Sequence, residues 1–372
     1  MVSRIVLFGA TGYTGRLTAA ALVARGADPV LAARDRTRVE ALAAELAGDG
    51  GPRPAVAEAD VQRPETVRAL VERGDVLVST VGPFARWGSA ALAAAVDAGA
   101  HYFDSTGEPS FIREVFERWG PRAADAGCAL VPAFGYDWVP GNLAGALALE
   151  AGGPAVTRLD VGYFVTGSAG PGSLSGGTLA SAAGVLGAPG YAWRGGRLVE
   201  EMPARHHRTY RVHGVPRPGL SVAGSEHLAL PRLAPGLRDV HVHLGWFGPA
   251  ARPMQLLSQL TRLPGVPGLV QSVGARLLPG STGGPDEAAR CRVASHVQAV
   301  ASGPDGRELA RVQLDGPNPY TLTGDLLAWA ATRARDGGLT GTGALGPVEA
   351  FGLDELVAGA ATGGLRQAPA AG

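Results

Sequence analysis

An apolar run that passes without a break into a glycine-rich turn leaves a chain few folds to choose from. Residues 4–8 are such a run, and Gly9-Ala10-Thr11-Gly12-Tyr13-Thr14-Gly15-Arg16 follows at once, ahead of a helical pattern over 12–25. Glycines at this spacing suit a tight turn, backbone that must approach a pyrophosphate, and a helix packed closely on a strand. The helix N-terminus adds N–H groups and a partial positive charge for an anion. In a chain with 56 glycines the spacing alone says little, and the strand-to-helix context supplies the weight.

The same alternation continues. Strand-like runs at 4–8, 29–33, 55–59, 75–80, 101–104 and 128–132 are separated by helical patterns at 12–25, 37–46, 64–72, 89–98 and 111–126. Six strands with crossover helices predict an α/β fold whose N-terminal domain, 1–150, is a Rossmann doubly wound parallel sheet. Beyond residue 152 short alternating segments at 158–164, 240–244, 292–300 and 308–314 lie between Gly/Pro-rich turns. They predict a second, α+β domain over 151–318, built on a mostly antiparallel sheet and serving substrate binding or oligomerisation. Within it, 253–278 reads as a helical excursion broken at Pro264 and Pro267, a flap or a dimer contact. Helical patterns at 320–335 and 348–361 predict that 319–365 packs back on the first domain, and 366–372 reads as a frayed tail.

Composition removes several functions. Thirty-three basic and 33 acidic side chains cancel, so no bulk field draws the chain to nucleic acid or an anionic membrane. All the basic side chains are arginine. Without lysine there is no Schiff-base or pyridoxal-phosphate enzyme, no Walker-type P-loop, no kinase, and no Tyr-x-x-x-Lys pair of the short-chain dehydrogenases. Cys128 and Cys291 are isolated, which excludes a cysteine zinc set or a disulfide framework and fits a reducing cytoplasm. No signal peptide and no apolar run of about 18 residues is present, so a cytoplasmic protein without a membrane span is expected.

The cofactor is read at the end of the second strand, beside the adenosine ribose. Arginine there suits a 2′-phosphate and an acid suits a 2′-hydroxyl. Arg34 stands at that position with Asp35 next to it, so NADP is expected and NAD is the alternative.

Three further segments follow strand ends, where an open α/β sheet binds its ligand: Val81-Gly82-Pro83-Phe84-Ala85-Arg86-Trp87-Gly88, His101-Tyr102-Phe103-Asp104-Ser105-Thr106-Gly107-Glu108, and 131–142, which contains Phe134-Gly135-Tyr136-Asp137-Trp138. With the GATGYTGR turn, and with segments at 175–178, 303–307, 320–323 and 346–352, they resemble the saccharopine dehydrogenase-like oxidoreductases, nearest the actinobacterial trans-acting enoyl reductases. The resemblance implies that Gly9, Thr11, Gly12, Tyr13, Thr14 and Gly15 hold the pyrophosphate and Arg34 the 2′-phosphate. It implies too that Val81, Gly82 and Pro83 line the nicotinamide ribose with Phe84 nearby, and that hydride goes from NADPH to an activated C=C of a polyketide or other biosynthetic intermediate.

Such a reduction needs a proton donor at the α-carbon and a group to steady the enolate oxygen. Tyr136 and Asp137 are the candidates, Asp137 being equally usable as an N-cap for the helix after Pro140. Thr106 and Glu108 form a weaker polar set. His101 begins a buried strand and reads as a core histidine. His241 and His243 share a strand face but lack further ligands, so no metal site is read. His206 and His207 lie in an Arg-rich stretch read as an exposed loop, and 173–178 is a helix cap or an anion site opening a helix at 179–186. Two alternatives stay open: reduction of a C=N bond, with Arg194, Arg205 or Arg208 clamping a carboxylate, and a non-catalytic NADP sensor. A homodimer is the expected assembly, and the substrate is a small or carrier-bound molecule.

Overall fold

Residues 3–48, 51–167, 189–246 and 283–368 are described by a computed structural model. The runs at 173–178, 179–186 and 253–278 lie outside them.

The six N-terminal strands are Ile5–Phe8 (β1), Val30–Ala33 (β2), Val56–Glu58 (β3), Val76–Ser79 (β4), His101–Asp104 (β5) and Ala129–Val131 (β6). Residues of β1, β4 and β6 are buried throughout, as unbroken apolar runs in a parallel sheet covered on both sides should be. Between the strands lie α1 (Tyr13–Ala24), α2 (Arg36–Ala47), α3 (Pro64–Arg68), α4 (Phe84–Ala98), α5 (Pro109–Glu114) and α6 (Gly120–Ala126). A π-turn at Val115–Trp119 joins the last two. Helix α4 starts earlier than its apolar period suggests, because Pro83 is its N-cap and the Pro83 carbonyl accepts the Trp87 N–H at 3.0 Å. The strands run parallel in the order β3-β2-β1-β4-β5-β6, the doubly wound order, with its switch point between β1 and β4.

The chain continues through α7 (Val139–Gly152), β7 (Arg158–Gly167), the hairpin β8 (Gly190–Arg194) and β9 (Arg197–Glu201), and a second hairpin of β10 (His207–Val212) and β11 (Val215–Val222). Then come α8 (Glu226–Leu233), β12 (Asp239–Leu244), α9 (Glu287–Cys291), β13 (Val293–Ser302) and β14 (Glu308–Gly316). Where a loop was expected at 202–211, β10 begins at His207, although His206 and His207 are both exposed. These strands form a mixed sheet, β10-β11-β12-β7-β13-β14, with β8 on β12; among the described pairs β12 with β7 is parallel and the rest antiparallel. Leu159, Val161 and Tyr163 of β7 line up with Val240 and Val242 of β12 and with Val297, Ala299 and Ala301 of β13. All are buried, and α7 and α8 pack on this side of the unit. The opposite face carries Asp160, His241, His243, His296 and Gln298, of which all but His241 are fully buried.

The last elements are α10 (Pro319–Arg335), β15 (Gly343–Ala344), α11 (Pro347–Phe351), α12 (Leu353–Thr362) and β16 (Arg366–Gln367). Strand β15 adds to the parallel sheet beside β6. The expected tail is corrected at its start: Arg366 and Gln367 pair antiparallel with Asp315 and Leu314 of β14, and the Ala368 N–H reaches the Gln313 carbonyl at 2.8 Å. An otherwise open sheet edge offers those partners.

Two compact units result. One comprises Met1–Thr106, Phe111–Asp137 and Tyr320–Gly363, the other Gly107–Ser110, Trp138–Pro319 and Gly364–Gly372. The division thus falls at Asp137 rather than at 150, because α7 buries its length against β7, β13 and β14. In the first unit Phe134 meets Phe103 (ring centroids 5.5 Å) and Phe351 (5.6 Å), and Trp329 meets Phe351 at 4.7 Å, so the C-terminal helices complete its core. No helix of the described residues is long and apolar enough to cross a membrane.

Candidate active site

The glycine turn is built for close approach. Gly9 sits at φ +90°, its N–H and that of Ala10 both donating to the Ala32 carbonyl at 2.8 and 3.1 Å, which ties the turn to β2. A side chain at Gly9 would meet Thr80 and Val81 at 2.8 Å, and one at Gly15 would clash with the Gly9 carbonyl. Gly12, the N-cap of α1, has no side chain to occupy the helix end, and the first turn holds no acid. This is the arrangement that receives a phosphate anion. Thr11, Tyr13 and Thr14 are partly exposed around it, and the Tyr13 ring meets Tyr320 edge-on at 5.2 Å.

Arg34 follows β2, exposed and without an ion-pair partner among the described residues, whereas Arg36 pairs with Glu40 at 2.8 Å. Asp35 caps α2, accepting the Arg38 N–H at 3.0 Å. Its carboxylate is therefore engaged in capping the helix.

After β4, the Thr80 hydroxyl donates to the Gly9 carbonyl at 3.1 Å, binding this turn to the glycine turn. Val81, Gly82 and Pro83 are partly or fully exposed there. Phe84 instead turns into the core against Phe111, centroids 5.7 Å apart.

The third segment is held from two sides. The Asp104 carboxylate, wholly buried at the end of β5, accepts the N–H groups of Thr106 (2.9 Å) and Ala133 (2.8 Å), while its own carbonyl accepts from Phe134 at 2.7 Å. Ala133 stands at φ +59°, a conformation that non-glycine residues rarely adopt. Asp104 thus secures the bend from which 134–137 leave β6. From the other side, α10 brings Thr323 over Gly135, and its hydroxyl oxygen accepts the Tyr136 N–H at 3.0 Å. Tyr320 and Thr323, three apart on one helix face, connect the glycine turn with the Tyr136 turn. Asp104 and Thr323 carried no role in the sequence; an acid at a strand end reads as solvated, and Thr323 is distant in the chain.

Tyr136 is buried. Asp137 is half-buried, and its Oδ1, shut off from water, has no hydrogen-bond partner. Burial pushes its carboxyl up from the usual range to about 7. The N-cap of α7 is Trp138, with no side-chain cap bond, so Asp137 does not serve as a cap. A carboxyl raised by desolvation, beyond the carboxyl end of β6, has the properties of a proton donor near neutral pH.

The remaining polar candidates fall elsewhere. His101 is a core histidine whose Nδ1 accepts the Ala129 N–H at 3.2 Å, and burial lowers its pKa. Thr106 and Glu108 are buried. Arg194 is paired with Glu201 at 3.0 Å and Arg208 with Asp160 at 2.5 Å. His243 meets the Tyr210 hydroxyl at 2.8 Å. Burial lowers His241 to about 2 and His243 to about 4.

Residues 5–131 match the saccharopine dehydrogenase NADP binding domain. A candidate trans-acting enoyl reductase of Mycobacterium tuberculosis is 41% identical over 140 residues, which is 37% of this chain and 33% of that protein. A trans-acting enoyl reductase of Mycobacterium ulcerans is 38% identical over 141 residues, 37% and 34% of the two chains. The aligned stretch therefore spans about a third of these relatives' length. Across the whole chain the fold is similar to apo saccharopine dehydrogenase (L-Glu forming) of Saccharomyces cerevisiae, at TM-score 0.62 and 13% identity, covering 98% and 99% of the two chains. A homospermidine synthase of Legionella pneumophila solved with NAD gives TM-score 0.62 at 12% identity, covering 99% and 91%. The glycine turn that Cβ atoms would block, the uncapped helix end and the exposed Arg34 fit the cofactor named by the matching domain, and residues 5–131 are similar to the NADP binding domain of saccharopine dehydrogenase.

Proposed function

We propose that the chain is an NADPH-dependent reductase of a C=C bond conjugated to a carbonyl, a trans-acting enoyl reductase of a polyketide-type or other biosynthetic intermediate. The observation that carries this reading is Asp137, a carboxyl held near neutrality by burial at the mouth of β6. Gly9, Thr11, Gly12, Tyr13, Thr14 and Gly15 would hold the pyrophosphate, Arg34 the 2′-phosphate, and Val81, Gly82 and Pro83 the nicotinamide ribose, with Phe84 supporting that turn from the core. Bound there, NADPH supplies hydride for the β-carbon. Asp137, protonated near neutral pH, delivers the proton to the α-carbon, and Tyr136 shapes the turn that presents it. The names of the Mycobacterium relatives support the C=C reading. A C=N substrate with a carboxylate to be clamped gains less support, because Arg194 and Arg208 already pair with acids. A cytoplasmic homodimer acting on a small or carrier-bound substrate completes the reading; Cys128 and Cys291 are both free thiols.

The test is NADPH oxidation with α,β-unsaturated thioesters and with cyclic imines. In the wild type kcat/KM should fall as pH rises through about 7. Asp137→Asn should lose about 100-fold or more of kcat and that pH dependence, general acid catalysis being worth about 10²–10⁴-fold. Unchanged turnover in Asp137→Asn refutes the assignment. Turnover of imines alone moves the chain to C=N reduction, and NADPH binding without oxidation by either class makes it a sensor.

A further inference from the structure

The polar face of the second unit's sheet holds a group of side chains that the reductase reading does not use. Strands β10 and β11 join through a two-residue turn, His213-Gly214, at φ +48° and +81°. Asn-Gly is the usual choice for such a turn, and histidine is a costly one. In sheet order β10 is at the edge farthest from β14, yet the ribbon folds back across the polar face. Its Tyr210 ring lies over Gly162, where a Cβ would come within 2.8 Å of it, and meets Phe164 at 5.3 Å. Phe164, Tyr210 and Val212 form an apolar cluster that is enough to keep the ribbon down.

The turn beyond that cluster carries His213 to the far side of the polar face. Its ring lies 4.8 Å from that of His296, and its Nε2 is 3.1 and 3.3 Å from the two Asp315 oxygens. His296 and Asp315 face each other across β13 and β14, with Nδ1 and Oδ1 2.7 Å apart. One nitrogen from each histidine and one carboxylate oxygen lie within 4.8 Å of one another. His296 is fully buried, Asp315 is half-buried and His213 is exposed, so the group opens to water on one side.

We propose that His213, His296 and Asp315 form a binding site for a divalent transition metal ion, Zn²⁺ in the first instance, which fastens the β10–β11 ribbon to β13 and β14. Two imidazole nitrogens and one carboxylate oxygen, with water in the fourth position, are an ordinary zinc set, and at about 2.0–2.1 Å from the metal such ligands lie about 3.3 Å apart. Asp315 Oδ1 stands 3.1 Å from His213 Nε2, near that already, and 2.7 Å from His296 Nδ1, a contact the ion would widen. Imidazole binds a metal ion only in its neutral form, so binding weakens in acid. Four strands lie between β10 and β14 in the sheet, and without the fold-back no sequence spacing relates the three residues.

The test uses the full chain without a histidine tag, stripped with chelator and titrated with Co²⁺, followed by its visible absorption and then by displacement with Zn²⁺. One Co²⁺ per chain with a four- or five-coordinate spectrum, and a rise in melting temperature with Zn²⁺, are expected. His213→Asn, which keeps a residue tolerant of the turn, and Asp315→Asn should each weaken binding at least about 100-fold, since even outer-shell partners cost 10–100-fold. His207→Asn, an exposed histidine outside the group, should bind as the wild type does, and NADPH binding should be unchanged in every variant. Absence of 1:1 binding, or wild-type affinity in His213→Asn, overturns the proposal; neither result bears on the reductase reading.

Discussion

Asp104 and Asp137 both lie at carboxyl ends of the parallel sheet, yet the fold treats their carboxyls in opposite ways. Two N–H groups meet the first, and none meets Oδ1 of the second. A carboxyl with one oxygen shut off from water and lacking a donor is costly to ionise, so the folded protein holds the Asp137 proton up to about pH 7 while the unfolded chain releases it near 3.8. Stability from this group is therefore full below about pH 4 and is lost as pH rises to 7, by at most about 1.4 kcal/mol per unit. Asp137→Asn should flatten this slope in urea titrations run from pH 4 to 8. Arg34→Ala should weaken NADPH binding by about 10–100-fold and leave NADH unchanged, as loss of a charged hydrogen bond worth about 1.5–3 kcal/mol requires; parallel fluorescence titrations read it. The glycine turn, Arg34 and Asp137 could be found in the sequence because each stands at a strand end that periodicity locates. Asp104 could not, since nothing local says that two amides will converge on it.

Among the elements, β7 shows where periodicity stops informing. Its alternation places Leu159, Val161 and Tyr163 on one face and Asp160 on the other, which ordinarily means buried and wet. The folded-back ribbon covers the second face, and Asp160 ends fully buried between Arg158 (2.8 Å) and Arg208. Burial alone would raise its carboxyl, but the two guanidinium groups outweigh that and lower it. Its stabilising effect is thus present above about pH 4 and is lost as pH falls further. Asp160→Ala should cost about 3 kcal/mol in denaturant melts at neutral pH, the lower end for breaking a buried ion pair because both arginines keep some contact with water. The His213, His296 and Asp315 group was hidden for the same reason: an edge ribbon that crosses a sheet leaves no trace in local pattern. Two prolines in β11 obscured the ribbon itself.

At the level of the molecule, the first unit is assembled from both ends of the chain. Phe134 is enclosed by Trp329 and Phe351, and Tyr136 is tied to Thr323. A fragment of residues 1–150, the domain suggested by the strand count, should therefore show no cooperative melt, whereas 1–137 joined through a short linker to 320–363 should melt cooperatively and bind NADPH. Calorimetry on the two fragments decides it. This interleaving has a consequence for the chain as it is made. The strands that carry the glycine turn leave the ribosome first, but the helix that brings Thr323 and the aromatic partners of Phe134 emerges only after all of Trp138–Pro319. At about 5–20 residues per second that interval is roughly ten to forty seconds. Throughout it the nascent cofactor domain is incomplete, so a stop codon within Trp138–Pro319 leaves the first unit without its closing helices.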